Sequence, residues 1–300
     1  MYTLNKIVIF YALSTYLFYE AVCGIIRRIE DWIGKWRAIM EYYIIDAFTS
    51  ELFQGNPAGV CVTPEALSAE LVQRIAAENN LPETAFVRKI RDGYELRWFT
   101  PGFEIDLCGH ATLAAACVVS NFVEPGAQRI RFSTRSGSLE VTRNSRLYDM
   151  IFPNRAGSEI TLSPRQLSLT GCRPAAVYSA RDLFLILDSE QDVLNYMPDY
   201  AKLQSLTDWL GVVVTAPGTR TDFVSRYFCP ELNAEDPVTG SSHCTLIPYW
   251  SHRLNKRRLT AAQLSPRGGL LDCELLGDEA VRISGEAVVF LKGEILVNGA

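Results

Sequence analysis

The chain carries one stretch twice, first as Tyr94-Glu-Leu-Arg-Trp-Phe-Thr-Pro101 and, after a short loop, Leu107-Cys-Gly-His-Ala-Thr-Leu113. The second copy reads Phe223-Val-Ser-Arg-Tyr-Phe-Cys-Pro230 and, after a similar loop, Val238-Thr-Gly-Ser-Ser-His-Cys-Thr-Leu246. The offset of about 130 residues is far too long for a solenoid repeat. Each copy is therefore predicted to belong to a domain-sized unit.

The same order of elements is predicted around each copy. Apolar runs at residues 58–62 and 183–187 are typical of strands, and apolar residues at helical spacing favour helices over residues 64–79 and 199–210. A further helix follows the glycine of each copy, and hairpins close each unit. The pattern predicts an α+β protein of two matching domains with a ligand site in the cleft between them.

We expect the chain to divide into three parts: residues 1–39 as an N-terminal extension, 40–158 as the first domain and 159–298 as the second, whose last strand can cross back. The apolar run at residues 7–19 is shorter than the about 20 residues that a membrane-spanning helix needs, and Glu20 interrupts it. The favoured interpretation is a dispensable extension or a misplaced start. A weak membrane anchor and an extra packed helix are the alternatives.

The composition is that of an ordinary globular chain, with 300 residues, 48% of them hydrophobic, and a net charge of −5 at pH 7. With 29 basic and 34 acidic residues, no global basic excess draws it to nucleic acid. The eight cysteines form no C-x-x-C pair, and no His, Cys and carboxylate set has metal-ligand spacing, so no metal is predicted. Scattered cysteines are typical of a reducing compartment, which favours a cytoplasmic location.

Two glycines, Gly109 and Gly240, each come directly before a predicted helix. A glycine lets the backbone turn sharply, and the first N–H groups of the helix, together with its dipole, attract anions. If the two halves face each other, both helix starts point into one cleft, where a substrate carboxylate would fit. For each glycine taken alone, an ordinary helix start without a ligand is the alternative.

The two copies differ at the residues that could carry chemistry. Aligning them places Val214 opposite Glu83 and Ser241 opposite His110. The apolar neighbours of Glu83 predict poor solvation, and a carboxyl group in such surroundings can take and give a proton near neutral pH. A helix start disfavours the cationic form of His110, which predicts a neutral imidazole. The alternatives are a surface acid and a structural histidine.

With these residues in place, the chain resembles the phenazine-biosynthesis PhzF family over about residues 40–297. The resemblance implies the diaminopimelate-epimerase-like fold: two pseudo-twofold-related domains, each a mixed barrel-like β-sheet around a central helix, with the active site between them. It also implies a homodimer. The motifs that carry it are Asp46-Ala-Phe-Thr49, Phe53-Gln-Gly-Asn-Pro-Ala-Gly-Val60, Glu83-Thr-Ala-Phe-Val87, Cys108-Gly-His-Ala-Thr112 and Glu235-Asp-Pro-Val-Thr-Gly-Ser-Ser-His-Cys244.

The resemblance further implies a cofactor-independent isomerase that moves a proton between carbons of a small carboxylate-bearing substrate. The family's founding substrate, trans-2,3-dihydro-3-hydroxyanthranilate, is not carried over, because many members lie outside phenazine pathways. The family's catalytic glutamate, histidine and aspartate fall on Glu83, His110 and Asp236, and its substrate-binding glycines and serine fall on Gly109, Gly240 and Ser241.

Two other functions remain open from the sequence: a non-catalytic small-acid-binding protein, and a one- or two-base epimerase or racemase. Related racemases use two opposed cysteines at their helix starts. Here Cys108 precedes Gly109 but Thr239 precedes Gly240, so the second thiol base is missing. The expected partner is a small carboxylate substrate. Nucleic acid is not expected, nor a membrane unless residues 1–39 act as an anchor.

Overall fold

A computed structural model describes residues 36–298 together with Val22, Gly24 and Ile25. The prediction for residues 1–39 therefore lies outside the described residues, apart from these three helical residues and the first residues of strand β1 (Trp36–Ala47). That strand begins before Met40, where the sequence pattern predicted the first strand. Within the part of the chain that is described, no helix is both long and apolar enough to cross a membrane.

The chain forms two compact units. The smaller comprises residues 1–41 and 294–300, in which the described residues are the outer ends of two strands and the three helical residues. The larger comprises residues 42–293 and contains both copies of the repeated stretch. One buried apolar cluster in the large unit includes Phe132 from the first half of the chain and Phe223 from the second. The domain boundary at residue 158 stays a prediction.

The first half of the large unit folds around a buried helix. Strands β2 and β3 run parallel, β3 and β4 run antiparallel, and Ala58 lies opposite Glu83 in the register. Its elements are, in order, β2 (Asn56–Thr63), α1 (Ala69–Asn79), β3 (Glu83–Ile90), β4 (Gly93–Phe99), β5 (Glu104–Ile105), α2 (Gly109–Val118), a π-helical turn (Val119–Val123), β6 (Arg129–Thr134), β7 (Gly137–Asn144), β8 (Leu147–Pro153) and β9 (Ser158–Glu159).

The second half repeats this order. Strands β11 and β12 run parallel, β12 and β13 run antiparallel, and β17 pairs with β8 of the first half. Its elements are α3 (Pro164–Thr170), β10 (Ala176–Ser179), β11 (Leu183–Ile186), α4 (Glu190–Asn195), α5 (Tyr200–Leu203), β12 (Val212–Pro217), β13 (Phe223–Cys229), a 3-10 turn (Pro230–Leu232), β14 (Ala234–Asp236), α6 (Gly240–Leu254), β15 (Arg258–Gln263), β16 (Gly269–Leu275), β17 (Ala280–Gly285) and β18 (Ala287–Asn298).

Matching contacts in the two halves confirm the predicted fold class, an α+β fold of two pseudo-twofold-related parts. Arg97 donates through Nε and Nη2 to Glu104, and Arg226 donates through the same atoms to Glu235. In each half the guanidinium also lies 4.9 Å from the centre of the phenylalanine ring two residues along the strand. Every residue of α2 after Gly109 is buried, as expected for a helix with apolar residues on all sides.

Two predicted helices are shorter than their apolar spacing suggested. The helix predicted over residues 64–79 begins at Ala69, because the Ser68 side chain accepts the Leu71 N–H and caps it. The helix predicted over residues 199–210 is one turn, Tyr200–Leu203. Residues 204–210 include weak helix formers, and the helix does not continue into them. Leu206 is nevertheless buried.

Replacing Gly55 by alanine is expected to lower the free energy of unfolding by about 2 kcal/mol. Gly55 has φ of 66°, where a side chain is strained, and a Cβ atom would collide with the carbonyl oxygen of Ala47. Urea denaturation measures the loss. Gly171→Ala is the control, because its φ is 71° but nothing lies within 4 Å, so about 1 kcal/mol is expected. Equal losses for the two variants would contradict the collision.

Candidate active site

The site lies where two helices start. A Cβ atom built on Gly109 would lie 3.7 Å from the Cα atom of Gly240, so the first residues of α2 and α6 are in close contact. The capping residues Cys108 and Thr239 are extended, and neither side chain accepts a hydrogen bond from its own helix. First-turn N–H groups have no partner within the helix. The two positive helix ends therefore meet at one point, which favours an anion there.

Glu83 lies beside the start of α2, at the first residue of β3. Its Oε2 atom is 3.1 Å from Nε2 of His110, and the two side chains are 18% and 7% exposed. This contact is at ion-pair distance but outside hydrogen-bond geometry. Glu83 Oε2 is buried and has no hydrogen-bond partner among the described residues. One carboxylate oxygen at the helix start is therefore left without a donor.

The ring of His110 is held between three side chains. Its Nδ1 atom lies 3.5 Å from Sγ of Cys108 and 3.3 Å from Nδ2 of Asn56, while Nε2 faces Glu83. Burial alone lowers the pKa of His110, but Cys108 and Glu83 together raise it well above its usual value. This direction favours the protonated ring over the neutral imidazole that the helix start predicts. The helix start disfavours a cation, but a carboxylate 3.1 Å away favours it more strongly.

Asp236 ends β14 on the other side of the paired helix starts. Its Oδ1 accepts a hydrogen bond of 2.7 Å from Nδ2 of Asn56, and its Oδ2 accepts one from the Thr239 hydroxyl. Burial raises the pKa of Asp236 to about 6, with a further contribution from Glu83, while His110 and the two hydrogen bonds oppose the rise. This carboxyl group titrates close to neutral pH.

Two positioning residues, Asn56 and Gln263, were missed by the sequence reasoning. Asn56 is fully buried and links His110, Asp236 and the Val238 carbonyl. Gln263 accepts the Thr239 N–H through Oε1 and donates through Nε2 to the Asp236 carbonyl. Asn56 is the first residue of strand β2, and Gln263 is the last residue of strand β15. That pattern could have marked both as buried polar groups with a partner to find.

A metal could be held at this site. One ligand atom each from Glu83, Cys108 and His110 lies within 4.8 Å of the others, and no second such group occurs in the described ranges. Oxygen, sulfur and nitrogen ligands of this kind suit zinc. Sequence spacing did not reveal the set because Glu83 lies on β3, whereas Cys108 and His110 lie at the start of α2. The expectation of a metal-free enzyme therefore stays a prediction.

The structure brings together Glu83, His110, Gly109, Gly240 and Asp236 around the helix starts. The sixth residue, Ser241, is the second residue of α6, and its hydroxyl accepts a hydrogen bond of 2.8 Å from Nη2 of an arginine that the sequence did not single out. That residue is Arg181. The roles given to the six residues stay proposals.

Strand register corrects the alignment of the two copies. Thr84 lies opposite Phe99, and Val212 lies opposite Phe228. Matching the two phenylalanines places Gly211 opposite Glu83, not Val214. The sequence alignment went wrong because the segments before β3 and β12 differ in length and helix content, so the gap between motifs could not be placed.

A solved structure of low sequence identity identifies the fold. The chain matches a hydroxyproline epimerase from Agrobacterium vitis with a TM-score of 0.59 and 9% identity, over 88% of this chain and 94% of that one. At this identity the likeness concerns the fold alone. The chain has the epimerase-like fold.

Closer matches identify the family. The phenazine biosynthesis-like protein family, PhzC-PhzF, matches residues 45–293. A Pseudomonas aeruginosa protein named an uncharacterized isomerase is 46% identical over 85% of this chain and 98% of its own length. A Clostridium difficile structure assigned to the PhzC/PhzF phenazine-biosynthesis proteins is 64% identical, with a TM-score of 0.84, over 86% of this chain and 100% of that one. The chain belongs to the PhzC-PhzF family and is an isomerase.

Proposed function

We propose that the enzyme moves a proton between two carbons of a small carboxylate-bearing substrate, with Glu83 as the general acid and base. The observation that carries this proposal is the buried Glu83 Oε2, which has no hydrogen-bond partner among the described residues and lies 3.1 Å from His110 beside two uncapped helix starts. A carboxylate without a donor is free to take a substrate proton.

The substrate carboxylate would be held by first-turn N–H groups of α2 and α6, at Gly109, His110, Gly240 and Ser241. Paired helix ends supply donors and partial positive charge, which supports an anion site there. Binding there would fix the position of the neighbouring carbon. The close contact of the two glycines supports the use of both helix starts by one group.

In the proton-transfer step, Glu83 would take a proton from one carbon, exchange it with solvent and deliver a proton to another carbon. The negative charge that develops on the substrate would be stabilised by the helix ends and by the ring of His110. Asp236 is fixed by Asn56 and Thr239, and would orient the substrate or accept a hydrogen bond from it. No step in this scheme requires a cofactor.

The two-thiol racemase is the weaker candidate. Burial, and then the charge of Glu83, raises the pKa of Cys108, which keeps it a thiol when a racemase needs a thiolate. Thr239 occupies the matching position before Gly240, and its hydroxyl group is too weakly acidic to replace the second thiol of a racemase. In a one-base proton shift by Glu83, neither Cys108 nor Thr239 has to lose a proton.

Deuterium incorporation tests the proposed function. A panel of small unsaturated and hydroxylated carboxylic acids is incubated with the enzyme in D₂O and followed by NMR. We expect at least one acid to exchange a C–H proton and to form an isomer with a shifted double bond. Saturable binding of several acids without exchange or isomer formation in any of them would favour the non-catalytic binding protein instead.

Removal of metal ions is expected to leave the exchange rate unchanged within about twofold, because Glu83 acts on the proton directly. The enzyme is dialysed against a strong chelator, its metal content is measured by mass spectrometry, and exchange is assayed before and after. Loss of activity that returns with one equivalent of zinc would contradict the metal-free scheme. It would assign Glu83, Cys108 and His110 as ligands.

We also propose a cytoplasmic location and a homodimer. The location is supported by the cysteines of the described residues, all seven of which are free, as suits a reducing compartment; they are Cys61, Cys108, Cys117, Cys172, Cys229, Cys244 and Cys273. The homodimer is supported only by resemblance to the family. Cell fractionation and light scattering test these two proposals.

A further inference from the structure

Opposite the Glu83–His110 pair, the second half of the fold carries a different pair at the matching place. Ser241 corresponds to His110, since each is the second residue of its helix. In the first half that residue contacts Glu83, and in the second half it contacts Arg181, whose Nη2 donates to Ser241 Oγ at 2.8 Å. One side of the paired helix starts therefore presents an acid, and the other presents a cation.

Arg181 is held by a chain of buried contacts. Its Nη2 lies 2.9 Å from Oδ2 of Asp182, whose side chain is 3% exposed, and Oδ1 of Asp182 accepts a hydrogen bond of 2.9 Å from the Tyr227 hydroxyl. The Tyr227 hydroxyl occupies the space that a Cβ atom on Gly211 would need. Gly211 matches Glu83 by strand register. The second half thus has Gly211 at the position of Glu83. The absence of a side chain there leaves room for the Tyr227 hydroxyl, which donates to Asp182 beside Arg181.

The guanidinium of Arg181 keeps donors for a ligand. Its Nε and Nη2 atoms contact Asp182 and Ser241, and Nη1 has no hydrogen-bond partner in the described part of the chain. The side chain is 36% exposed. The N–H groups of Nη1 are the ones left for a ligand, and one of them can donate a charge-assisted hydrogen bond to a carboxylate oxygen.

Arg181 and Glu83 act on the same region. Ser241 follows Gly240, which is in contact with Gly109 at the start of the Glu83-side helix.

We propose that Arg181 binds a second carboxylate of the substrate, so that the enzyme acts on a small dicarboxylic acid. This inference rests on the proposed function, in which the first carboxylate is held at the helix starts. Arg181 would hold the second on the α6 side, and the reacting carbons would lie between the two groups, within reach of Glu83. Asp182 and Tyr227 are positioning residues that keep the guanidinium directed at Ser241 and the ligand.

Binding of matched acids tests the proposal. The probes are succinate against butyrate, glutarate against pentanoate, and phthalate against benzoate, measured by titration calorimetry and ligand-observed NMR. The wild-type enzyme is expected to bind the diacid of at least one pair about 10- to 100-fold more tightly than its monoacid partner. Arg181→Met is expected to remove that preference while monoacid binding stays within about twofold.

Monoacid binding serves as the internal control for folding, since it needs the helix starts but not Arg181. Gly211→Ala adds a second variant that touches no ligand. It displaces the Tyr227 hydroxyl and is expected to reduce the diacid preference. Arg173→Met, on an exposed loop residue, is expected to change nothing. A diacid preference that survives in Arg181→Met would overturn the proposal. An equal loss of affinity for both acids of a pair would overturn it as well.

Failure of the inference can be told apart from failure of the proposed function. Glu83→Gln is expected to keep the diacid preference and to lose C–H exchange, because binding and proton transfer use different residues. If the wild type exchanges protons but shows no diacid preference, only the role of Arg181 is overturned. If the preference depends on Arg181 but no acid exchanges, only the isomerisation is overturned.

Discussion

Replacement of Glu83 by glutamine is expected to lower the rate of C–H exchange and of isomer formation by about 10²–10⁴-fold. Glutamine keeps the size of the side chain but cannot take a proton from carbon. Substrate affinity is expected to change little, since the anion site at the helix starts remains. Exchange in D₂O, followed by NMR at saturating acid, measures the rate, and calorimetry measures the affinity.

The matched control is Glu95→Gln on the neighbouring strand β4. Glu95 pairs with Arg88 near the surface, where its side chain is 39% exposed, and it contacts none of the site residues. This variant is expected to retain wild-type exchange. Undiminished exchange by Glu83→Gln would remove Glu83 as the base. Asp236, whose pKa lies near 6, would then be the next carboxyl group to examine.

Replacement of Asp236 by asparagine is expected to lower kcat/KM by about 10²-fold and to change its pH profile. Burial raises the pKa of Asp236 to about 6. If the carboxylate is the working form, the wild-type kcat/KM rises with pH through about 6 on its acid side, and the variant loses this limb. Exchange rates between pH 4.5 and 8.5 measure the profile. A limb near 6 that persists in the variant would contradict the assignment to Asp236.

The same variant should alter stability in a direction set by that pKa. The folded pKa of Asp236 is above its ordinary value of 3.8, so the folded state holds this proton more tightly than the unfolded state between about pH 4 and 6. The contribution of Asp236 to stability is therefore lost as pH rises through that window, by on the order of 3 kcal/mol. Asp236→Asn should lack this loss in urea denaturation, while Asp92→Asn, at an exposed turn, should keep it.

The repeated stretch was sufficient to predict the fold class because its spacing is a property of the chain itself. Two glycines before apolar helices, each preceded by strands, allow few packings other than two matched halves. The helix lengths were less predictable. Capping by Ser68 and the early end of α5 depend on a few local contacts that apolar spacing does not record.

The candidate site was predictable only in part, for a physical reason. Glu83, His110 and the glycines lie at element starts, where backbone geometry marks them in the sequence. Asn56 and Gln263, on strands β2 and β15, and Arg181, between β10 and β11, are distant in sequence and act through side-chain hydrogen bonds. Such contacts follow from tertiary packing. The direction of the His110 pKa could not be predicted for the same reason, since the sequence did not show how close Glu83 would lie.

The two halves of the fold have diverged around a shared frame. The Arg97–Glu104 and Arg226–Glu235 pairs are the same in both halves and hold the strands that lead to each helix start. The residues that face the helix starts differ, with an acid on one side and a supported arginine on the other. The two halves thus share a strand framework and differ in the side chains beside their helix starts.

The central claim is tested most directly by the position of the deuterium label after turnover of an acid that the enzyme accepts. In D₂O, a proton shift by one base places deuterium on a carbon other than the one that lost its proton, and the label should depend on Glu83. NMR of the product assigns the labelled carbon in the wild type and in Glu83→Gln. Label returned to the same carbon with inverted configuration, at equal rates in both proteins, would contradict the account.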